Sequence, residues 1–480
     1  MRVPLDRQRT TPLYRQIEAH LRRTIASGAL PAGSRLPASR ALARDLGVSR
    51  LTVETAWAEL VAAGLVAGRP GSGTYVLAPP RPSARTPDER WPAWQEDLAA
   101  RREVGPDEPP PGRGCISLAS GQGDPALYPL DGLRKVIRAV FGRDGSSALE
   151  YGPAAGDPAL RRTIAEVLSS QGLPARAEDV LVTSGAQQAL ALASSLLARP
   201  GDPVLVESPT YSGALELFRA LGLQVVGVPT DELGMRTDLL EPLLLRHHPR
   251  LIYSVPTFQN PTGACLPALR RRELLSLAER HNVPLLEDDY VGDLRYEGRA
   301  QAPLKAYDRG GRVLYAGTFS KMLAPGLRLG FLLADGPVHA ALVEAKRLHD
   351  MATSNLIQRA VKAYVTIGRY EAHLRRTVRL YRRRRDALVA ALRRQLPELR
   401  VESPHGGLFV WVRLPDGLSA RRLLPLARAV GVDFAPGPRF FPEPREGDPY
   451  LRLCFAAHEP EVLIEAVRRL ARGVRRAAGG

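Results

Sequence analysis

The sequence predicts an α/β protein in two parts. A small helical module closed by a β-hairpin comes first. A large domain follows, with a mixed, mostly parallel sheet, covering helices and a smaller C-terminal α+β subdomain. Three observations predict this. Apolar residues recur at helical spacing early in the 480-residue chain and end at a glycine-rich hairpin. Nine prolines crowd residues 78–113. From Cys115 onward, short β-branched runs alternate with helical patterns, as in parallel strands joined by crossover helices. The expected boundaries are therefore 1–77, 78–113 and 114–480.

In the module, Leu13, Ile17, Leu21 and Ile25 form one apolar helix face, with Arg15, Glu18, Arg22 and Arg23 off it. A second helix is expected to start at Ser39 as N-cap and to bury Leu42 and Leu46. Gly47 suits the left-handed position that ends it. Ser49 is expected to cap a third helix with Val53, Trp57 and Leu60 inward. Two capped helices around a tight glycine turn make a helix-turn-helix. Leu65-Val66 and Thr74-Tyr75-Val76 then flank Gly68 to Gly73 as a small hairpin, or wing.

Prolines fix φ and lack the backbone donor, so 78–113 reads as an extended, semi-rigid linker. Trp91, Trp94 and Leu98 are candidates to dock a short piece of it. Net charge is +17 and the isoelectric point about 10.2, which suits a polyanion partner. Arginine carries nearly all of that excess, since lysine stands only at 135, 305, 321, 346 and 362. Compositional bias accounts for the charge equally well. No apolar run is long enough to span a bilayer, and the polar start lacks a secretory pattern, so a cytoplasmic protein without a membrane partner is expected. Cys115, Cys265 and Cys454 are scattered, which fits a reducing compartment and argues against a disulfide framework or a zinc site.

The run from Pro12 to Val76, with "AGSRLPASRALARDLGVSRLTVETAWAEL" and "GRPGSGTYV", resembles the GntR type of winged helix-turn-helix. The resemblance implies that Arg40, Ser49, Arg50, Thr52 and the wing residues Arg69, Gly71 and Gly73 face double-stranded DNA. The physical chemistry agrees: residues at the start of a recognition helix reach bases and phosphates, and its first amides favour phosphate. Glu54 departs from a basic pattern one turn after Arg50. It either accepts from a cytosine amino group or points away.

In the large domain, Val180 to Leu190 reads as strand, glycine turn and helix, which places the amides of Ala186 and Gln187 at a phosphate-binding terminus. Phe258-Gln-Asn-Pro-Thr-Gly follows a strand. Leu285-Leu-Glu-Asp-Asp-Tyr is a buried strand ending in acids, where open α/β sheets place ligands. In Gly317-Thr-Phe-Ser-Lys-Met-Leu-Ala-Pro-Gly-Leu-Arg-Leu-Gly, Lys321 sits among small and hydroxyl residues rather than on a charged face. That setting suggests a lowered pKa and Schiff-base chemistry.

From about Ser117 to the last helices, these segments resemble the fold-type I aminotransferases. The resemblance implies pyridoxal 5'-phosphate as cofactor, linked to Lys321. It implies Asp288 at the pyridine nitrogen, Asn260 and Tyr290 at the ring hydroxyl, and Tyr211 stacked on the ring. Ala186, Gln187, Thr318, Ser320 and Arg328 would hold the phosphate. Tyr151 would reach the phosphate of a neighbouring subunit, hence a homodimer, and Arg452 would grip a ligand carboxylate. Catalytic roles fall to Lys321, Tyr290 and Asp288. "EDDY", where many relatives have "DDPY", together with the N-terminal module, resembles the MocR/GabR subfamily of regulators. Asp289 remains an alternative to Asp288.

Two functions are expected from these resemblances. One is a transcription regulator that senses a small amino compound, or the cofactor itself, and binds DNA with paired half-sites. The other is a working aminotransferase with an accessory DNA-binding domain.

Overall fold

A computed structural model describes residues 3–78, 91–100, 112 and 114–478. The chain divides into two compact units, Met1–Glu108 and Pro109–Gly480. Most of the predicted linker, 78–113, lies outside the described residues.

The first unit contains α1 (Leu13–Ala26), α2 (Ser39–Leu46), α3 (Arg50–Ala62), the hairpin β1 (Val66–Arg69) and β2 (Gly73–Val76), and α4 (Ala93–Ala100). Ile17, Leu21 and Ile25 of α1 meet Leu42, Val53, Trp57, Leu60, Val66 and Val76 in one core. Gly47 ends α2 at φ 62°, where a side chain would be strained. The expectation for Ser39 is corrected: the N-cap position belongs to Ala38, and Ser39 is the first helical residue. Its hydroxyl instead donates across to Glu54 on α3. The hairpin strands also run further inward than expected, pairing Arg69 with Gly73, so only Pro70 to Ser72 form the turn. Trp91, Trp94 and Leu98, on and beside α4, are each more than half exposed.

The second unit is built on an eight-stranded sheet. Its strands are β4 (Val180–Thr183), β5 (Pro203–Ser208), β6 (Gln224–Asp231), β7 (Gly234–Met235), β8 (Leu251–Ser254), β9 (Leu285–Asp289), β10 (Val313–Thr318) and β11 (Gly330–Leu333); a short β3 (Ile116–Ser117) precedes them. The order is β4-β11-β10-β9-β8-β5-β6-β7. The central pairs are parallel, and β11 and β7 run antiparallel to their neighbours. β4 and β8 are buried along their whole length, as expected of strands covered on both faces. Among the helices, α5 (Leu130–Asp144) and α6 (Pro158–Ser170) precede the sheet and α7 (Ala186–Leu197) follows β4. A four-stranded antiparallel sheet makes the smaller part, from β12 (Arg400–Val401), β13 (Phe409–Arg413), β15 (Ala435–Pro436) and β16 (Tyr450–Cys454). β14 (Val432–Asp433) pairs with β3. No described helix is long and apolar enough to cross a membrane.

Candidate functional site

In the first unit, Ser49 is extended and its Oγ accepts from the Thr52 amide at 3.1 Å, closing the start of α3. The Ser49 and Thr52 hydroxyls also share a hydrogen bond of 2.8 Å. Arg50 is thereby held at the first position of the helix, with about half its side chain exposed. Glu54 neither stands free nor turns away. Its Oε1 accepts from Arg50 Nε at 2.6 Å and from Ser39 Oγ at 3.2 Å. Hydrogen bonding to Arg50 holds this carboxyl below its usual range. Arg40 and Arg69 are exposed, and the Arg69 guanidinium lies 4.9 Å over the Tyr75 ring. Gly71 and Gly73 take φ of 69° and 114°, open to glycine without strain.

In the second unit, a cavity of about 560 Å³ opens at the carboxyl ends of β4, β8, β9 and β10. A crevice of that size in that place is where open α/β sheets bind ligands. Ala186, Gln187, Tyr211, Asn260, Asp288, Tyr290, Thr318, Ser320, Lys321, Arg328 and Arg452 all line it. Tyr151 does not, and is 81% exposed.

Strand alternation sorts the three acids of β9. Glu287 accepts from the Leu304 and Lys305 amides at 2.8 and 2.9 Å and lies 3.8 Å from Arg271. Asp289 is saturated by the Tyr315 hydroxyl at 2.7 Å and the Gly292 amide at 2.6 Å. Only Asp288 faces the cavity. Its Oδ2 accepts from Tyr253 at 2.7 Å, while its Oδ1 is buried without a partner. Burial raises the Asp288 carboxyl to about 7, with the Tyr253 hydrogen bond opposing.

Across the cavity, Lys321 Nζ donates to the Gly121 carbonyl at 2.7 Å. Burial lowers its pKa, which favours the neutral, nucleophilic amine. Beside it, Gly185 at φ 91° turns the chain into α7, whose first amides have no intrahelical partners. Gly330 packs so close to Gly185 that a Cβ there would come within 2.8 Å of its carbonyl carbon. Arg328, itself left-handed, donates to the Ser184 carbonyl at 2.7 Å. Thr318 Oγ1 accepts from the Ser320 amide at 3.1 Å, and Ser320 Oγ is buried without a partner. A helix terminus, an arginine and two hydroxyls at one end of a cavity form an anion cup.

At the other end, Arg452 is only 6% exposed. It donates to Asn260 Oδ1 at 2.9 Å and to the Ala119 carbonyl at 2.8 Å, and its Nε has no partner. Its guanidinium lies 3.9 Å over Phe409 and 4.8 Å over Phe440. No carboxylate pairs with it among the described residues, and burial pulls its pKa to about 10. Between the two ends, the Tyr290 hydroxyl donates to the Phe258 carbonyl at 2.9 Å, and its ring stacks on Phe409. Tyr211 reaches Gln187 Oε1 at 3.4 Å.

Sequence reasoning missed several participants. Tyr253, inside β8 with no motif to mark it, donates to Asp288. Glu207, fully buried, accepts from Ser254 Oγ, the Val255 amide and Gln259 Nε2, and so fixes the loop that carries Asn260. The lining stretch Ala119–Gln122 and Phe409, Arg439 and Phe440 come from distant parts of the chain and carry no motif.

Residues 113–470 match the aminotransferase class I and II family, and residues 13–76 match the gntR family of bacterial regulatory proteins. The aromatic-amino-acid aminotransferase 1 of Thermococcus litoralis is 36% identical over 75% of this chain and 88% of its own. The probable rhizopine catabolism regulatory protein MocR of Rhizobium meliloti is 32% identical over 97% of this chain and 94% of its own. Among solved structures, the α-aminoadipate aminotransferase LysN of Thermus thermophilus, complexed with N-(5'-phosphopyridoxyl)-L-leucine, superposes with a TM-score of 0.72. It is 36% identical and covers 76% of this chain and 94% of its own.

Proposed function

The chain belongs to the aminotransferase class I and II family, joined to a gntR-family helix-turn-helix as in the MocR-type regulators, and from that premise we propose that it is a DNA-binding regulator gated by a small amino compound. Its cofactor is pyridoxal 5'-phosphate. The cavity suits that molecule at each polar end. The partnerless Asp288 Oδ1 suits the ring nitrogen, and the cup of Ala186, Gln187, Thr318, Ser320 and Arg328 suits the phosphate. When bound, this cofactor supplies an aldehyde that takes up primary amines and a ring that draws off electrons.

The protein's own groups have distinct parts in the proposal. Lys321 offers a half-buried amine that would hold the cofactor at its aldehyde. Asp288 sets the charge of the ring nitrogen. Asn260 and Tyr290 orient the ring hydroxyl, and Tyr211 lies against the ring. Tyr151, exposed on its own chain, serves the phosphate end of a second copy, so the protein acts as a homodimer on paired half-sites. Arg40, Ser49, Arg50, Thr52, Arg69, Gly71 and Gly73 form the face turned to DNA.

One observation carries the sensor reading: a buried, carboxylate-free Arg452 shares a cavity with Lys321 in a chain that also carries a complete recognition helix and wing. A ligand shifts the DNA-binding equilibrium only by its differential affinity for two states. The test is the visible absorbance of the purified protein, with and without amino compounds, beside Lys321→Ala. A band that is lost in the variant, and that an amino compound shifts without turnover while DNA affinity changes, is expected. Steady formation of a keto acid with unchanged DNA affinity would replace this reading with an aminotransferase. The set of Lys321, Asp288, Tyr290 and Arg452 is also what transamination uses.

A further inference from the structure

Four cations line the cavity, Lys321, Arg328, Arg439 and Arg452, against one acid, Asp288. The cofactor accounts for three of these five: Asp288 at the ring, Lys321 at the aldehyde and Arg328 at the phosphate. Two guanidiniums are left over. Arg452 is the buried carboxylate grip. Arg439 was not foreseen from the sequence.

Arg439 stands on the short turn Gly437–Phe440, which leads directly to the ring that carries Arg452. It is exposed at the cavity wall and makes no hydrogen bond or ion pair with any described residue. The turn beneath it is firmly seated. Gly437 packs against Gly447 with no room for a side chain, and Phe440 meets the Trp411 ring edge-on at 5.7 Å. Arg439 is also one of the charges that push the Arg452 pKa down, so the two cations feel each other across the cavity. Arg439 therefore offers an anion entering the cavity a guanidinium with no acid of the protein bound to it.

We propose that the amino compound this cavity selects carries a second acidic group, so that Arg452 takes one carboxylate and Arg439 the other. The ligand class is then an acidic amino acid or a close analogue with a distal carboxylate or sulfonate. This inference rests on the reading that the cavity takes an amino compound, and adds its distal charge. A distal cation would meet a guanidinium with no acid beside it. A distal apolar group would leave Arg439 unneutralised.

The test uses the full-length protein loaded with pyridoxal phosphate. Dissociation constants are measured by calorimetry and by the shift of the cofactor band. The probes are L-aspartate, L-glutamate and L-2-aminoadipate, each beside its uncharged counterpart, L-asparagine, L-glutamine and L-norleucine. At least one diacid is expected to bind tenfold or more tightly than its counterpart. The preference should fall to near one in Arg439→Gln and persist in Arg439→Lys, which keeps the charge. Equal affinities in the native protein, or a preference untouched in Arg439→Gln, would overturn the inference and leave the amino-compound reading standing. If no probe of either kind gives heat or a spectral shift, this inference falls, while the amino-compound reading is decided by its own absorbance and DNA-affinity test.

Discussion

Arginine does opposite work in the two units. In the first, Arg40, Arg50 and Arg69 stand in water, and Arg50 spends its Nε on a neighbouring Glu54 one helical turn away. In the second, Arg271, Arg384, Arg385 and Arg452 are buried, and their forks are tied mainly to backbone carbonyls and acids. Exposed charges add little to stability, are screened by salt and remain available to a polyanion. Buried ones are expensive to bring in and so are held by several hydrogen bonds each. The same side chain is solvated at these positions of the first unit and a pre-set fixture at these positions of the second.

The sharpest way to break this comparison is to remove a buried fork. Arg271 is fully buried and donates to the Leu266 and Pro256 carbonyls at 2.7 Å, to Thr257 Oγ1 at 2.9 Å and to the Ala302 carbonyl at 3.2 Å. Arg271→Ala strands those acceptors and leaves Glu287 buried without its cation. A loss of about 3–5 kcal/mol in urea unfolding of the second unit is expected. A loss below about 1 kcal/mol would show that the fork is no fixture.

Asp288 sharpens the same point through pH. Its carboxyl is raised to about 7 by burial, so in the cofactor-free protein the folded state keeps this proton after the unfolded chain has released it. The stability tied to Asp288 is therefore complete below the ordinary aspartate range and is lost as pH rises towards 7. The slope is at most about 1.4 kcal/mol per pH unit for one proton. Asp288→Asn should flatten that part of the stability–pH curve between about 4 and 7. The part due to Glu287, also raised to about 7, remains. Identical curves for the two proteins would place the Asp288 carboxylate in solvent.

The smallest effect on stability belongs to the exposed arginines. Arg40→Ala and Arg69→Ala should each change unfolding free energy by less than about 0.5 kcal/mol. Each should nonetheless lower the slope of log affinity against log salt for a DNA duplex by about 0.9, one phosphate contact's worth. An unchanged salt slope, followed by fluorescence anisotropy, would remove that residue from the DNA face.

Much of this was readable in advance because it is local. Helix faces, the Gly47 turn, the Ser49 cap and the alternating strands follow from periodicity and backbone preference, which act over a few residues. Most of the cavity's motifs were equally local: they lie at strand ends or helix starts, and sheet topology brings strand ends together. Misjudged residues depended on partners far away in the chain. Ser39 looked like a cap until α3 offered it Glu54.

By itself, the sequence determined the two architectures, the lysine that stands apart from every charged face and the single arginines that open α3 and stand on the wing, Arg50 and Arg69. Only the tertiary structure decided which acid of β9 faces the cavity. It also brought Tyr253 to Asp288, seated Arg452 between Phe409 and Phe440, and left Arg439 unpaired at the same wall. Backbone preferences act between neighbours in sequence. Burial and charge act through space, between groups the chain brings together only when it has folded.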